Sequence, residues 1–244
     1  MSPKLASWRF WLLTLAAVAG IGVTASLGRW QLSRAAQKEA LQAAIEAKQR
    51  LPALDQAALL AAPDAAQLVH RQVVLRGIWL PNDTVYLDNR QMHGTPGFYV
   101  LTPLRLQGQD RVVLVQRGWV QRNFVDRTRL PPVEMPAGPV EIHGRIAPPP
   151  SKLYEFKGAD TGAIRQNLDL AEFRAETKLP LLGVSVLQTG APGEGLQRDW
   201  PEVGSDTAKH YGYTFQWWGL SGLIAILYVW FQFIAPARRA ARRR

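Results

Sequence analysis

Two long uncharged runs, one near each end of the chain, limit the folds that this sequence can adopt. The first is FWLLTLAAVAGIGVTASL at residues 10–27, and the second lies between Lys209 and Arg238, where residues 217–235 are almost purely apolar. A helix needs about 20 consecutive apolar residues to span the hydrocarbon core of a membrane. The sequence therefore predicts an integral membrane protein with two transmembrane helices, at residues 10–28 and 209–235.

The first run has a second interpretation, as a cleavable signal peptide. Lys4 and Arg9 would form the charged start, and the small residues Val23, Thr24 and Ala25 would form the cleavage site. The run is longer than the roughly 7–15 apolar residues of such a signal, and a segment of helical composition follows it. These features favour a retained anchor, with cleavage as the alternative.

The net charge of +10 is carried mainly by basic residues that flank the two apolar runs. Residues 31–209 contain 21 of the 29 Lys and Arg residues together with all 19 acidic residues, so the middle of the chain is nearly balanced. A nucleic-acid-binding protein would concentrate its basic residues on the folded domain, so no nucleic-acid partner is expected. The positive-inside rule instead predicts a bacterial inner-membrane protein that contacts lipid, with both termini, residues 1–9 and 236–244, in the cytoplasm.

The domain between the two helices is expected in the periplasm, and its pattern is that of a β-rich α+β fold. Residues 29–66 have the composition of a helical stalk or linker, with Pro52 ending the helix that starts at Gln31. Within residues 67–208, short runs rich in β-branched and aromatic residues alternate with turn residues, which predicts antiparallel strands in a small curled sheet or partial barrel. One helix is predicted at NLDLAEFRAET, with Asn167 or Asp169 as its N-cap, and the second transmembrane helix is expected to be capped by Ser205, Asp206 or Thr207.

The chain contains no cysteine and four histidines. Thiol catalysis, disulfides, thiolate metal sites and covalent attachment of a c-type haem are therefore excluded. No nucleophile elbow, zinc-protease motif or phosphate-binding loop is present, so the sequence predicts a protein that is not an enzyme. His70, His93 and His143 each fall in or beside a predicted strand or turn, where a structural role is expected.

The fourth histidine, His210, stands just before the second apolar run. On a helix, Tyr213, Thr214 and Trp217 would share its face. An imidazole above aromatic side chains at a membrane boundary suits an axial ligand for a lipophilic porphyrin. Tyrosine and tryptophan also gather at membrane interfaces without any cofactor, so both interpretations stand at this point.

Several motifs, in order along the chain, resemble those of the Surfeit-locus family of cytochrome oxidase assembly proteins. They are LGRWQLSR (27–34), DNRQMHGTPGFYVLTPL (88–104), VLVQRGWV (113–120), IHGRIAPPP (142–150) and HYGYTFQWWGL (210–220). The chain departs from the family pattern at Gln116, Gln121, Thr214 and Trp218. None of these changes affects His210, Tyr213 or Trp217.

The resemblance implies an assembly factor for haem–copper (cytochrome c) oxidase that binds haem a and aids its insertion into catalytic subunit I, after receiving it from haem a synthase. His210 would then be the iron ligand, with Tyr213 and Trp217 beside the ring. Trp30, Gln31 and Arg34, at the outer end of the first helix, have two interpretations. They would anchor this helix at the membrane interface, or they would lie against the start of the second helix and close the site with His210, where the Arg34 guanidinium would bind a haem propionate. The alternative is a cofactor-free membrane scaffold that holds oxidase subunits during assembly.

The other marked residues of these motifs are expected to have structural roles rather than to contact a ligand. Arg117, Gly118 and Trp119 are expected to end a strand, with Trp119 in the core. Arg90 and Gly94 are expected to be turn residues.

Overall fold

The computed structural model describes residues 8–126, 129–153, 162–201 and 207–242. The chain divides into two compact units, a helical unit of Met1–Ala44 with Glu202–Arg244 and a sheet unit of Ile45–Pro201. Two apolar helices and one sheet-rich domain are thus present, as predicted. The boundary between the units falls within the segment 29–66 that was expected to form a stalk.

The helical unit contains the two ends of the chain. Helix α1 (Trp8–Gln49) continues from the first apolar run through the polar segment without a break and stops shortly before Pro52. Helix α4 (Thr207–Val229) is followed by a π-helical turn (Trp230–Ile234) and by α5 (Ala235–Ala241). The wide turn directly precedes Pro236, which has no N–H and whose ring crowds the preceding turn. Ser205 and Asp206, two of the three expected caps, lie outside the described residues. By length and composition, both helices could cross a membrane.

The helices α1 and α4 pack along a seam with alternating spacings of three and four residues. Half-buried or buried seam positions on α1 are Thr14, Ala17, Ile21, Thr24, Gly28, Gln31 and Ala35. Those on α4 are Thr207, His210, Thr214, Trp217, Ser221, Ile224 and Tyr228. This spacing averages 3.5 residues, which is the repeat of helices that wind around each other.

Polar contacts along the seam establish that the two helices run antiparallel. At one end, Thr14 Oγ1 and Tyr228 OH lie 2.7 Å apart. In the middle, Ser221 Oγ donates to the carbonyl oxygen of Ile21 at 3.4 Å. Towards the other end, Thr214 Oγ1 donates to the carbonyl oxygen of Gly28, also at 3.4 Å.

Gly28 explains one of the close approaches between these helices. A Cβ atom at this position would overlap the indole ring of Trp218. The indole Nε1 of Trp218 also donates to the carbonyl oxygen of Ala25 at 3.4 Å. Gly28 of the LGRWQLSR motif therefore provides space for Trp218 of the HYGYTFQWWGL motif.

The sheet unit is built on seven strands, with short helices around them that begin with α2 (Gln56–Ala61). The strands are β1 (Gln72–Trp79), β2 (Val85–Met92), β3 (Thr95–Leu106), β4 (Val112–Gln121), β5 (Pro139–Ala147), β6 (Ile164–Arg165) and β7 (Leu181–Gln188). The order in the sheet is β1-β5-β7-β4-β3-β2-β6, and β1 also pairs with β3. That last pairing closes five strands into a barrel, which confirms the barrel alternative of the sequence prediction.

Gly77 allows the barrel to close. It lies opposite Leu106 in the β1–β3 pairing, and a Cβ atom there would overlap the carbonyl oxygen of Arg105. Not every pairing is antiparallel as predicted, because β4–β7 and β2–β6 are parallel. Parallel neighbours need a long connection between them. The chain between β4 and β7 includes β5 and helix α3 (Leu170–Thr177) and so provides that length.

Two apolar clusters stabilise the sheet unit. One fills the barrel with buried side chains that include Leu75, Leu104, Val115, Ile146 and Val186. The other lies where α3 packs on the sheet and includes Leu87, Leu114, Leu170 and Phe173. The predicted cap of α3 is confirmed at Asp169, whose carboxylate accepts hydrogen bonds from the backbone N–H groups of Ala171 and Glu172.

Buried arginines hold the loops against the sheet. Arg117 on β4 is fully buried, and its guanidinium lies 2.8 Å from Glu194 and 4.8 Å from the ring of Trp79. Trp119 is buried as expected, and its indole donates to the carbonyl oxygen of Arg90. Glu194 also accepts a hydrogen bond from Arg198, so one carboxylate joins β4 to the segment before Pro201.

The expectation that Arg90 serves a turn is wrong. Arg90 lies in β2, is buried, and donates to the carbonyl oxygens of Ser151 and Gln166 at 3.0 Å each. The pairing of β2 with β3 shifts register between Leu87 and Arg90, and such a bulge redirects the side chains that follow. Gly94 does occupy the β2–β3 turn, with φ +76°.

His70 occupies a constrained position at the start of the barrel. Its φ is 76°, which is unusual for a residue other than glycine, and its N–H donates to the carbonyl oxygen of Ile146. Burial lowers the pKa of His70 below its usual value, and the positive charges of Arg145 and Lys48 lower it further. The folded sheet unit therefore favours the neutral imidazole.

The antiparallel register predicts a specific cross-link in this cysteine-free chain. We expect Ile21→Cys combined with Ser221→Cys to form an intramolecular disulfide on oxidation, because these positions face each other across the seam. Electrophoretic mobility without reductant, before and after oxidation, measures it. The matched control is Val23→Cys with Ser221→Cys, because Val23 is exposed on α1. Equal cross-linking of the two pairs would contradict the register.

The state of His70 predicts how stability depends on pH. The lowered pKa in the folded state means that the unfolded chain binds the proton more readily, so stability falls as pH drops below about 6.5. We expect the thermal midpoint to fall between about pH 7.5 and pH 5.5, and His70→Asn, which tolerates a positive φ, to reduce this fall. His143→Asn, at an exposed position on β5, controls for the loss of an imidazole. An unchanged pH dependence in His70→Asn would contradict the assignment.

Candidate functional site

The candidate site is centred on His210, in the first turn of α4. The imidazole Nδ1 lies 2.7 Å from Oε1 of Gln31 on α1. A carbonyl oxygen only accepts, so this contact requires the hydrogen on Nδ1, and in the neutral imidazole the lone pair is then on Nε2. Among the residues that the structure describes, none forms a hydrogen bond with Nε2. The arrangement thus presents one ring nitrogen with the lone pair that a metal ligand requires.

The seam explains why Gln31 and His210 meet. Both are seam residues, and both follow the three- and four-residue spacing that places them between the helices. Thr214, one turn further along α4, is buried and donates to the carbonyl oxygen of His210 at 2.9 Å. Its side chain faces α1, because the same hydroxyl lies 3.4 Å from the carbonyl oxygen of Gly28. Thr214 therefore contributes to helix packing rather than to an open surface beside the imidazole.

The two aromatic residues expected beside His210 occupy different positions. Trp217 lies on the seam and is half-buried. Tyr213 precedes the seam residue Thr214 and is 51% exposed. An exposed ring next to the seam can cover a flat ligand, whereas a half-buried seam ring mainly supports the helix pair.

On α1, Trp30 directly precedes Gln31 and Arg34 follows it by three residues. The side chains of Trp30 and Arg34 contact each other. The Arg34 guanidinium lies 5.7 Å from the centre of the Trp30 ring and donates to Gln37 Oε1 at 3.2 Å. Trp30 is 52% exposed, and Arg34 is also exposed. Both of these partners of Arg34 are on its own helix, so the exposed guanidinium keeps surface for a further ligand.

Helix geometry places Trp30, Arg34 and Tyr213 along one side of the helix pair. Residues one position after a seam residue lie on one side of the helix pair. On that side, the Tyr211 hydroxyl donates to the Glu39 carboxylate at 2.8 Å, and the Trp218 indole N–H donates to the carbonyl oxygen of Ala25 at 3.4 Å. Residues that precede a seam position lie on the other side, and Trp30, Arg34 and Tyr213 all do so. We refer to these three residues as the aromatic flank.

The remaining histidines lie in the sheet unit and have other neighbours. His93 lies 3.3 Å from Asp199, His143 lies 3.5 Å from Glu141, and both are exposed. In the described parts of the chain, no group of three or more histidine and carboxylate residues could hold a metal ion together. His210 is therefore considered as a single ligand, which suits a metal that already has a macrocyclic set of nitrogens.

Of the three residues Trp30, Gln31 and Arg34, Gln31 is the one that the structure brings into hydrogen-bond contact with His210. It lies in the LGRWQLSR motif and was expected at the outer end of the first helix beside Trp30 and Arg34. The signal that identifies it is the heptad spacing shared by α1 and α4, which aligns position 31 with position 210.

Comparisons with known proteins agree with the motif resemblance. The family model described as the SURF1 family matches residues 18–222. A SURF1-like protein of Rickettsia felis is 29% identical over 215 residues, covering 84% of this chain and 89% of that protein. A SURF1-like protein of Monosiga brevicollis is 35% identical over 130 residues, covering 49% and 47% of the two chains. The cytochrome oxidase assembly protein SHY1 of Saccharomyces cerevisiae is 28% identical over 99 residues, covering 41% of this chain and 25% of its own.

The family match covers part of each apolar helix, the whole barrel and the candidate site. It contains His210 and Gln31, and it begins within the first apolar run and ends within the second. The protein therefore belongs to the SURF1 family.

Proposed function

We propose that this protein is a membrane-anchored assembly factor for haem–copper (cytochrome c) oxidase, which binds haem a at His210 and aids its insertion into subunit I. Membership of the SURF1 family and similarity to the yeast cytochrome oxidase assembly protein SHY1 support the assembly role. The haem-binding role rests on the geometry of His210. The protein transfers its cargo unchanged, and we propose no catalytic step.

The observation that carries the proposal is the hydrogen bond from His210 Nδ1 to Gln31. It fixes the ring orientation and leaves Nε2 as the nitrogen with a lone pair. Haem iron accepts an imidazole nitrogen as an axial ligand, so binding requires no chemistry beyond this one coordination bond. A single protein ligand suits a carrier, because the release of one bond frees the cargo.

The aromatic flank supplies the other features that a porphyrin needs. The exposed rings of Trp30 and Tyr213 would cover part of the flat macrocycle and exclude water from it. The guanidinium of Arg34 would bind a propionate carboxylate through two parallel hydrogen bonds. Trp217 would support the helix pair from the seam beneath this surface.

The helical unit is proposed to cross the inner membrane of a bacterium twice. Both helices are long and apolar enough, and the basic residues Arg238, Arg239 and Arg242 follow the second helix. The excess of positive charge at the chain ends supports a topology in which both termini would be in the cytoplasm and the sheet unit in the periplasm. His210 would then stand at the periplasmic boundary of the bilayer, beside the membrane enzymes that make and receive haem a.

The partners proposed for this site follow from that position. Haem a synthase would deliver the cargo from within the membrane, and oxidase subunit I would receive it. The sheet unit would provide the surface that contacts these two proteins. A cofactor-free scaffold would use the same sheet unit without any need for Nε2 of His210.

The first prediction for this function concerns bound haem. Protein purified in detergent from cells that make haem a should show a Soret band and a reduced α-band, and His210→Ala should lower both to background because the iron loses its axial ligand. His143→Ala is the matched control, since His143 is an exposed histidine of the sheet unit. Visible spectra normalised to protein concentration measure the effect.

The same experiment separates the two functional hypotheses. A colourless wild-type protein, from a host shown to make haem a, would contradict haem binding and favour the scaffold. Equal haem in wild type and His210→Ala would assign the ligand to another residue.

The second prediction concerns orientation in the membrane. A single cysteine at Val125→Cys should react with a membrane-impermeant maleimide in intact spheroplasts, because Val125 is 98% exposed in the sheet unit. A single cysteine at Ala240→Cys, near the basic C-terminus, should react only after lysis. Labelling of Ala240→Cys in intact spheroplasts would contradict the proposed topology.

A further inference from the structure

We propose that Gln31 is a positioning residue that sets both the tautomer and the donor strength of His210, and thereby keeps the ligand exchangeable. This inference rests on the proposed function, because donor strength matters only if His210 binds a metal. Gln31 acts through the imidazole and needs no contact with the cargo.

The geometry assigns one task to Gln31. Its amide oxygen lies 2.7 Å from Nδ1, which is a short and well-formed contact. The hydrogen on Nδ1 prevents that nitrogen from binding a metal and leaves Nε2 for the purpose. In the opposite tautomer, the hydrogen would sit on Nε2 and block it. Gln31 therefore selects the tautomer that can act as a ligand before any cargo arrives.

The chemical nature of the acceptor sets how strongly Nε2 donates. A histidine ligand commonly gives its second N–H to a carboxylate or a carbonyl group, and a more basic partner makes the ring a stronger donor. A carboxylate forms a charge-assisted hydrogen bond, roughly twice as strong as one between neutral groups. The amide of Gln31 is neutral, so it orients the imidazole without much increase in its donor strength. A carrier that must release its cargo needs such a moderate ligand.

The surroundings of Gln31 keep the acceptor neutral and in place. Gln31 is half-buried on the seam, and the next seam residue, Ala35, is fully buried. The nearest basic residue along α1 on the same flank, Arg34, directs its guanidinium to Gln37 and Trp30. A glutamate at position 31 would match the shape of glutamine and would bring a full negative charge to Nδ1.

Two substitutions at Gln31 test the inference in opposite directions. Gln31→Glu should lower the reduction potential of bound haem and slow its transfer to an apoglobin acceptor about 10- to 100-fold, because the ligand becomes a stronger donor. Gln31→Leu should accelerate transfer by a similar factor, because the imidazole loses its orientation. Gln109→Glu and Gln109→Leu are the matched controls, since Gln109 is an exposed glutamine of the sheet unit and its substitution should leave both quantities unchanged.

A third measurement needs no haem. Nitrogen-15 NMR of haem-free protein labelled at histidine should show His210 with the hydrogen on Nδ1 in the wild type and a mixture of tautomers in Gln31→Leu. A wild-type ring that is already a mixture would overturn the role of Gln31.

The outcomes distinguish this inference from the proposed function. Wild-type protein that binds no haem would refute the carrier function, and the tautomer measurement would still report on Gln31. Wild-type protein that binds haem, with the same potential and transfer rate in both Gln31 variants, would overturn this inference alone. If Gln31→Leu reduces only the thermal midpoint, with potential, transfer rate and tautomer unchanged, Gln31 has a packing role and the inference fails.

Discussion

The structure of the candidate site depends on the seam between α1 and α4. Helices that associate in lipid gain little from the hydrophobic effect, so close packing and interhelical hydrogen bonds hold them together. Both features are present in the seam, where the absent side chain of Gly28 leaves space for Trp218 and polar pairs link the helices at several levels. Each such hydrogen bond contributes on average only about 0.6 kcal/mol in a membrane protein. The register of the two helices therefore results from many weak contacts along the seam. These contacts fix how the helices align, and that alignment brings Gln31 opposite His210.

The sheet unit is stabilised in a different way. Its strands close into a barrel around the apolar core because Gly77 lets β1 approach the backbone of β3, and buried arginines hold its loops. Arg117 is paired with Glu194, whereas Arg90 has backbone carbonyl groups as its partners. Removal of one partner from a buried ion pair usually costs about 3–5 kcal/mol, since the other charge remains in the interior. Arg117 and Trp119 of the VLVQRGWV motif are thus explained by the stability of this unit, without any role in cargo binding.

The parts of the structure that were predictable from sequence are those with a strong local signal. The apolar runs predicted α1 and α4, alternation of β-branched residues predicted the six longer strands, and Asp169 predicted the start of α3. The two-residue strand β6 has no pattern long enough to detect, and closure of the barrel depends on a distant pairing of β1 with β3. Arg90 was misplaced because a buried arginine in a strand depends on partners about 60 and 76 residues away. The contact of Gln31 with His210 was within reach of the sequence, since the spacing of three and four residues occurs in both helices. One interpretation of the sequence placed Gln31 with Trp30 and Arg34 against the start of the second helix, but the specific pair was not identified because the two helices were not aligned with each other.

A neutral pair at the end of an apolar seam has a physical logic of its own. A charged group in a region of low dielectric constant is costly unless another charge compensates it, whereas an imidazole and an amide need only a hydrogen bond. The charged residues near this pair lie outside the seam, since Arg34 is exposed beside it and Lys209 is exposed next to His210. An aspartate or glutamate in place of Gln31 would add a charge to be desolvated and would also strengthen the ring as a ligand. Under the proposed function, the glutamine would therefore meet two requirements together, a seam that packs without buried charge and an imidazole nitrogen that binds reversibly.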